Sequence, residues 1–189
     1  RASYPAPATV ITVKAGATAD GRLTAVAMRA VFDAGAFPVA PVVAAYLTSL
    51  APYKIPHLRL EGYEVVTNRP KIGALRAPGA PQGAFAVESQ MDLLAEKLNI
   101  DPLELRRRNA TQEGEPMPVG RAFNRIGLQP LLERIALHPS WTTALKGPHR
   151  GRGLAVAFWP GAVMPSSCNL TLQDDGSFSL MVGSVDLTG

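Results

Sequence analysis

The stretch GALRAPGAPQGAFAVESQMDLLAEKL, residues 73–98, changes character part-way along. Residues 73–83 carry three glycines and two prolines, a loop composition stiffened by Pro78 and Pro81. After them Ala84, Val87, Met91, Leu94 and Leu98 recur at three- and four-residue steps, while Glu88, Asp92, Glu96 and Lys97 fall on the other side. That periodicity predicts an amphipathic helix with its charged face in water. Pro81 near the first turn agrees, because its missing N–H costs nothing there.

Downstream, Asp101-Pro102-Leu103-Glu104 is a helix-start signature: an acid as N-cap, proline in the first position, glutamate three beyond the cap. The short helix it opens runs through Asn109. It ends on Arg106, Arg107 and Arg108, whose default role is to complement the helix dipole. Residues 111–124 are polar and without periodicity, the best place for a domain boundary. Residues 128–137 predict a helix, 139–150 a loop, and 153–159, 169–173 and 177–182 strands, the last two joined by an Asp175-Gly176 turn.

Upstream, residues 9–14 alternate as a strand, with Ile11 and Val13 on one face. Asp20-Gly21 is a hairpin signal, and residues 23–32 form the return strand up to Asp33-Ala34-Gly35. Residues 39–50 are ambiguous, with helix slightly favoured, and 58–68 read as a strand closed by Asn68-Arg69-Pro70. Strands and helices mix without a regular βαβ rhythm, so the fold class expected is α+β, mixed sheets with packed helices.

Composition removes several functions. With 47% hydrophobic and 18% charged residues the chain is globular. Its formal charge of +4 is scattered, and the arginine triplet has no interleaved aromatics, so nucleic acid is not an expected partner. One cysteine, Cys168, excludes an internal disulfide framework. His57, His138 and His149 lack ligand spacing, so no metal ligands are assigned. The uncharged runs 34–53, with Pro38, Pro41 and Pro52, and 154–173, with Pro160, Gly161 and Pro165, hold more breakers than a lipid-spanning helix would tolerate. No charged segment followed by an apolar one opens the chain at Arg1-Ala2-Ser3, so a cytoplasmic location is expected.

The chemistry points back to the opening stretch. Gly79 and Gly83 let backbone approach a ligand, the helix N-terminus suits an anion, Arg76 supplies planar donors, and Gln82 both donates and accepts. Such a loop suits a phosphate-bearing or oxyanion-rich cofactor. On loop chemistry alone, an ordinary strand-to-helix turn with a solvent-exposed arginine is favoured over it. Neither nucleotide-binding glycine signature is present, nor the Gly-x-Ser-x-Gly of hydrolases.

A resemblance reverses that balance. Thr67-Asn68-Arg69-Pro70, then Gly73-Ala74-Leu75-Arg76-Ala77-Pro78-Gly79-Ala80-Pro81-Gln82, then Phe85-Ala86-Val87-Glu88 resembles the large subunits of the molybdenum hydroxylases, the xanthine dehydrogenase, aldehyde oxidase and carbon monoxide dehydrogenase type. Asp92 to Leu98, Asp101 to Arg106, Asn109, Glu113-Gly114 and Gly183-Ser184-Val185-Asp186 continue it in order. The Asp20-Gly21 and Asp33-Ala34-Gly35-Ala36 turns fit as well.

The resemblance implies a fragment of the molybdopterin-binding region, with residues 1–112 the C-terminal part of one subdomain and 113–189 the N-terminal part of the next. It implies that Arg76 contacts a molybdopterin-type cofactor with Ala77, Gly79 and Gln82 around it, and that Pro78 lines the substrate pocket. More pocket wall is expected between Trp159 and Met164. Gln82 and Glu88 match motif positions, and their first assignment is to loop and helix architecture. The parent would hydroxylate aldehydes or N-heterocycles, or oxidise carbon monoxide, with water-derived oxygen. Its electrons would pass to iron–sulfur clusters and FAD on partner subunits or domains. Partners are therefore the rest of the large subunit, those redox subunits and a small-molecule substrate, with no membrane.

Departures are also legible. Ala77 stands where the family has glycine, and Asp186-Leu187-Thr188-Gly189 diverges from the family's Gly-Gln-Gly loop. The family's glutamate base has no counterpart, so no catalytic residue is assigned and the fragment is expected to be inactive and cofactor-free by itself. The rival readings are a cofactor-free relic kept as a structural or binding module, and a generic phosphate-binding domain. Exposed core in such a fragment makes a homo-oligomer an expectation.

Overall fold

The computed structural model describes residues 5–118, 121–160 and 165–183. It divides into two compact units, residues 1–159 and residues 160–189.

The first unit begins with a hairpin of β1 (Thr9–Ala17) and β2 (Leu23–Gly35), antiparallel with Ile11 opposite Ala30 and Val13 opposite Met28. Gly21 takes φ 85°, which only a residue without Cβ adopts cheaply, and the Thr18 carbonyl accepts its N–H at 2.9 Å. β2 leads through α1 (Val42–Leu50) to β3 (His57–Val66), which pairs with β2 in parallel, Met28 opposite Leu60. The sheet order is β1-β2-β3. One parallel crossover therefore sits inside an otherwise mixed α+β arrangement.

Alternation along β2 decides which face carries the core. Val26, Met28, Ala30, Phe32 and Ala34 are buried, while Arg29 between them points to water. Against that face pack α1 and the helix α2 (Ala80–Leu98), whose Val87, Met91, Leu94 and Ala95 complete the cluster. Phe32 is fully buried, and a side chain of that size stabilises by about 2–3 kcal/mol relative to exposure. Gly62 on β3 is required by this packing, since a Cβ would stand 2.5 Å from Val42.

α3 (Pro102–Asn109) starts where the capping signature puts it. One oxygen of the Asp101 carboxylate accepts the N–H groups of Leu103 at 2.9 Å and Glu104 at 3.0 Å. Leu103 and Ala110 join α4 (Leu128–Leu137) in a second, smaller cluster of Leu128 and Leu132, with Leu154 and Val156 packed against it.

Four expectations need correction. Residues 139–150 are not all loop: α5 (Pro139–Thr142) forms, with Pro139 in its first turn and the His138 imidazole nitrogen accepting the Ser140 N–H at 3.1 Å. Residues 153–159 are not a strand, because a strand needs a ladder partner. The Val156 N–H goes instead to the Glu88 carboxylate at 2.8 Å. Glu88 does not face water, being only 6% exposed. Arg106 does not serve the helix dipole from the surface. It is fully buried and paired, while Arg107 and Arg108 remain outside and reach Glu104.

In the second unit β4 (Cys168–Leu172) and β5 (Phe178–Val182) pair antiparallel around Asp175-Gly176. The Asp175 carboxylate accepts the Ser177 N–H at 2.9 Å, and every residue of both strands is exposed.

Candidate functional site

Two turns far apart in sequence meet at one end of the sheet. The Asp33 carboxylate accepts the Gly35 N–H at 2.9 Å, the Thr67 hydroxyl at 2.7 Å and the Arg69 guanidinium at 3.0 Å. The Thr67 hydroxyl, then the Gly35 amide, hold the Asp33 carboxyl below its ordinary value of 3.8. Gly35 adopts φ 69° with the Pro70 carbonyl against it, a place no side chain fits. This clasp aims the chain from β3 into residues 71–79.

That loop reaches α2 through strained backbone. Ala77 sits at φ 55°, in the left-handed region where a Cβ costs about 1–2 kcal/mol, and its carbonyl accepts the Ala80 N–H at 3.1 Å. Gly79 follows at φ 80° as the N-cap of α2. The close approach that Gly79 and Gly83 permit is to α1. A Cβ on Gly79 would strike the Pro41 carbonyl, and one on Gly83 would stand 2.5 Å from the Ala45 carbonyl and 3.0 Å from the Ser49 hydroxyl. Helix–helix packing is therefore one physical cause for both glycines.

The remaining candidates are distributed as follows. Arg76 is exposed and makes no hydrogen bond or ion pair among the described residues. Pro78 lines a cavity of about 520 Å³ with Val39, Ala40, Pro41, Ile72 and Ala74. Val39 holds φ 124°, unusual for a β-branched residue, with its N–H donated to Glu64 at 2.8 Å. Gln82, in the first turn of α2, lines a separate depression with Thr9, Ile11 and Phe85. Its side-chain carbonyl oxygen is buried without a hydrogen-bond partner. The loop is thus brought together with the segment before α1, while Pro78 and Gln82 serve different hollows. Among the described residues no group of His, Cys, Asp or Glu could hold a metal ion, and no helix is long and apolar enough to cross a membrane.

Sequence reading missed Val39, Ala40 and Pro41 as cavity wall. The signal for them was weak: prolines bracketing an apolar pair. It also missed the buried network of Tyr53, Glu88 and Arg106. The Tyr53 hydroxyl donates to one Glu88 oxygen, and Arg106 Nε donates to the other at 2.9 Å. Burial, and after it the negative Glu88, push the Tyr53 phenol well above its ordinary value of 10.

A family model described as the molybdopterin cofactor-binding domain matches residues 1–110, the whole span from β1 through α3. The chain belongs to this family.

Among its relatives, the nicotinate dehydrogenase large molybdopterin subunit of Eubacterium barkeri is 38% identical over 125 residues, 64% of this chain and 29% of that protein. The xanthine dehydrogenase molybdenum-binding subunit of Escherichia coli O157:H7 is 36% identical over 135 residues, 64% of this chain and 18% of that protein. The solved aldehyde oxidoreductase of Desulfovibrio gigas superposes with TM-score 0.75 at 28% identity, covering 93% of this chain and 21% of that one. The chain therefore spans less than a third of the length of each of these relatives. The mixed fold and the molybdenum hydroxylase large-subunit resemblance both stand. Residues 161–164 of the expected pocket wall, Ser184-Val185 of the family match and the divergent Asp186-Leu187-Thr188-Gly189 lie outside the described residues.

Proposed function

We propose that this chain is part of the catalytic large subunit of a molybdenum-dependent oxidoreductase that hydroxylates aldehydes or N-heterocycles, or oxidises carbon monoxide, with water-derived oxygen. On this reading residues 1–112 belong to one molybdopterin-binding subdomain and 113–189 to the next. Iron–sulfur clusters and FAD on partner subunits or domains take the electrons, and the assembly is cytoplasmic.

The observation that carries the reading is the family match over residues 1–110, which includes two unsatisfied polar groups, Arg76 in the loop and Gln82 in the first turn of α2. Arg76 offers donors to an oxyanion with no protein partner competing for them. The orphaned Gln82 oxygen needs a hydrogen-bond donor, which the N–H groups of a pterin supply. Both fit a pterin-bearing, phosphate-bearing cofactor, with Ala77 and Gly79 shaping the loop between them. The cofactor, when bound, supplies the redox chemistry. This chain holds and orients it, and Pro78, lining the same cavity as Pro41, offers an apolar wall on the substrate side. The segment itself contributes no catalytic base.

The test is molybdenum content by mass spectrometry with xanthine, aldehyde and carbon monoxide oxidation assays, on the longer protein that carries this sequence and on its Arg76→Ala variant. Near-stoichiometric metal with activity, falling at least about tenfold in the variant, is the expected outcome. A folded protein that stays empty and inert with its partner subunits and a cofactor supply would replace the reading with a cofactor-free structural module. Phosphate affinity lost in Arg76→Ala, without molybdopterin affinity, would make it a generic phosphate-binding domain.

A further inference from the structure

Glu88 lines neither hollow, yet three separate segments converge on it. One carboxylate oxygen accepts the Tyr53 hydroxyl, three residues beyond α1. The other accepts Arg106 Nε of α3 at 2.9 Å and the Val156 N–H of the 153–159 segment at 2.8 Å. Its main-chain carbonyl accepts a further Arg106 N–H at 3.3 Å. Arg106 is then completed by the Pro102 carbonyl at 3.1 Å and Asp92 at 2.8 Å. Tyr53, Glu88 and Arg106 are all buried.

The position of this hub matters because of how α1 and α2 lie. Gly79 abuts Pro41, Gly83 abuts Ala45, and Glu88 meets Tyr53, so the two helices run side by side in the same direction. Their starting ends both line the 520 Å³ cavity: Pro41 is the N-cap of α1, and Pro78 immediately precedes the N-cap of α2. Glycine contacts allow close approach but are not directional. The hydrogen bonds of Glu88 are directional. They tie the middle of α2 to the chain just beyond the last turn of α1. A buried ion pair of this kind is a poor source of net stability compared with an apolar packing of the same volume, so its use here calls for a positional reason.

We propose that Glu88 is a positioning residue: it sets the register of α2 against α1, hence the spacing of Pro78 from Pro41, and couples that spacing to residues 153–159 through Val156. The relevance to cofactor and substrate rests on the proposed function, whereas the coupling is a property of this chain alone.

Residue-resolved amide hydrogen exchange on the full chain tests it, with Glu88→Gln and Val156→Pro as variants. Glu88→Gln keeps the shape but places an amide N–H₂ against the Tyr53 hydroxyl or the Arg106 guanidinium. Val156→Pro removes one donor more than 60 residues away in sequence and leaves the Glu88–Arg106 pair intact. In both, exchange in residues 73–83 is expected to rise by about tenfold or more while the β1–β2 amides keep their rates. A uniform acceleration of all slow amides would reduce Glu88 to an ordinary stabilising residue, and wild-type rates in 73–83 would overturn the proposal outright. If Glu88→Gln does not fold, Val156→Pro and Tyr53→Phe carry the same measurement. Molybdenum loading of the longer protein that is indifferent to Arg76→Ala would sink the functional reading and leave the coupling standing, so the two failures are distinguishable.

Discussion

Arg76 and Arg106 lie thirty residues apart and flank the same helix, one before its start and one beyond its end. Arg76 stands in a glycine–proline loop, exposed and without a protein partner among the described residues. Arg106 is fully buried, with acceptors from Glu88, Asp92 and Pro102. Sequence context alone makes both look like surface arginines beside helix ends. The difference teaches that an arginine with every donor satisfied is part of the scaffold, and one with none satisfied is available to a ligand.

The sharpest way to break that comparison is to remove each guanidinium. Arg106→Met leaves Glu88 buried beside Tyr53 without its counter-ion and is expected to cost about 3–5 kcal/mol in urea unfolding. Arg76→Ala should cost no more than about 0.5 kcal/mol. Equal losses would show that Arg76 is structural after all.

Next in size is Gly83→Ala. Its Cβ would press on the Ala45 carbonyl, and the two helices must separate, at a cost of about 1–3 kcal/mol with altered near-ultraviolet circular dichroism. A neutral result would mean that α1 and α2 are not locked, and would weaken the glycine explanation for this loop.

A smaller effect separates the two regions by pH. Because folding raises the Tyr53 phenol above its ordinary value of 10, its contribution is fully present below pH 10. It is lost as pH climbs from there through the folded-state value. Wild type should therefore lose stability above pH 10 more steeply than Tyr53→Phe, which is read by urea midpoints across pH 8–11. Arg76→Ala should follow the wild-type profile.

Smallest is Ala77→Gly. It relieves a φ of 55° but makes the unfolded chain more flexible, so the net gain is at most about 1 kcal/mol in thermal unfolding. A loss would mean that the Ala77 methyl makes a contact worth more than the strain.

Much of the frame was legible from the chain alone. The Asp20-Gly21 hairpin, the periodic helix from residue 80, the Asp101 cap and the helix at 128–137 all rest on neighbours within a turn or two of chain. The candidate loop was legible too, through its motif. What escaped was set by distant partners. Glu88 looked solvated because Asp92 and Glu96 follow it on one helical face, yet Tyr53 is 35 residues before it and Val156 is 68 after it. Residues 153–159 looked like a strand because their apolar pattern is strand-like, and pattern cannot supply a ladder partner.

By itself, then, the sequence determined most local elements, the α+β character, the family and the loop-to-helix stretch that carries Arg76 and Gln82. Those follow from backbone preference, periodicity and capping, which act between near neighbours. Only the tertiary structure decided that β3 lies parallel to β2, that Gly79 and Gly83 serve the α1 contact, and that one arginine of three is buried. Those outcomes depend on which surfaces close on which, and a buried charge must find its partners wherever the fold delivers them.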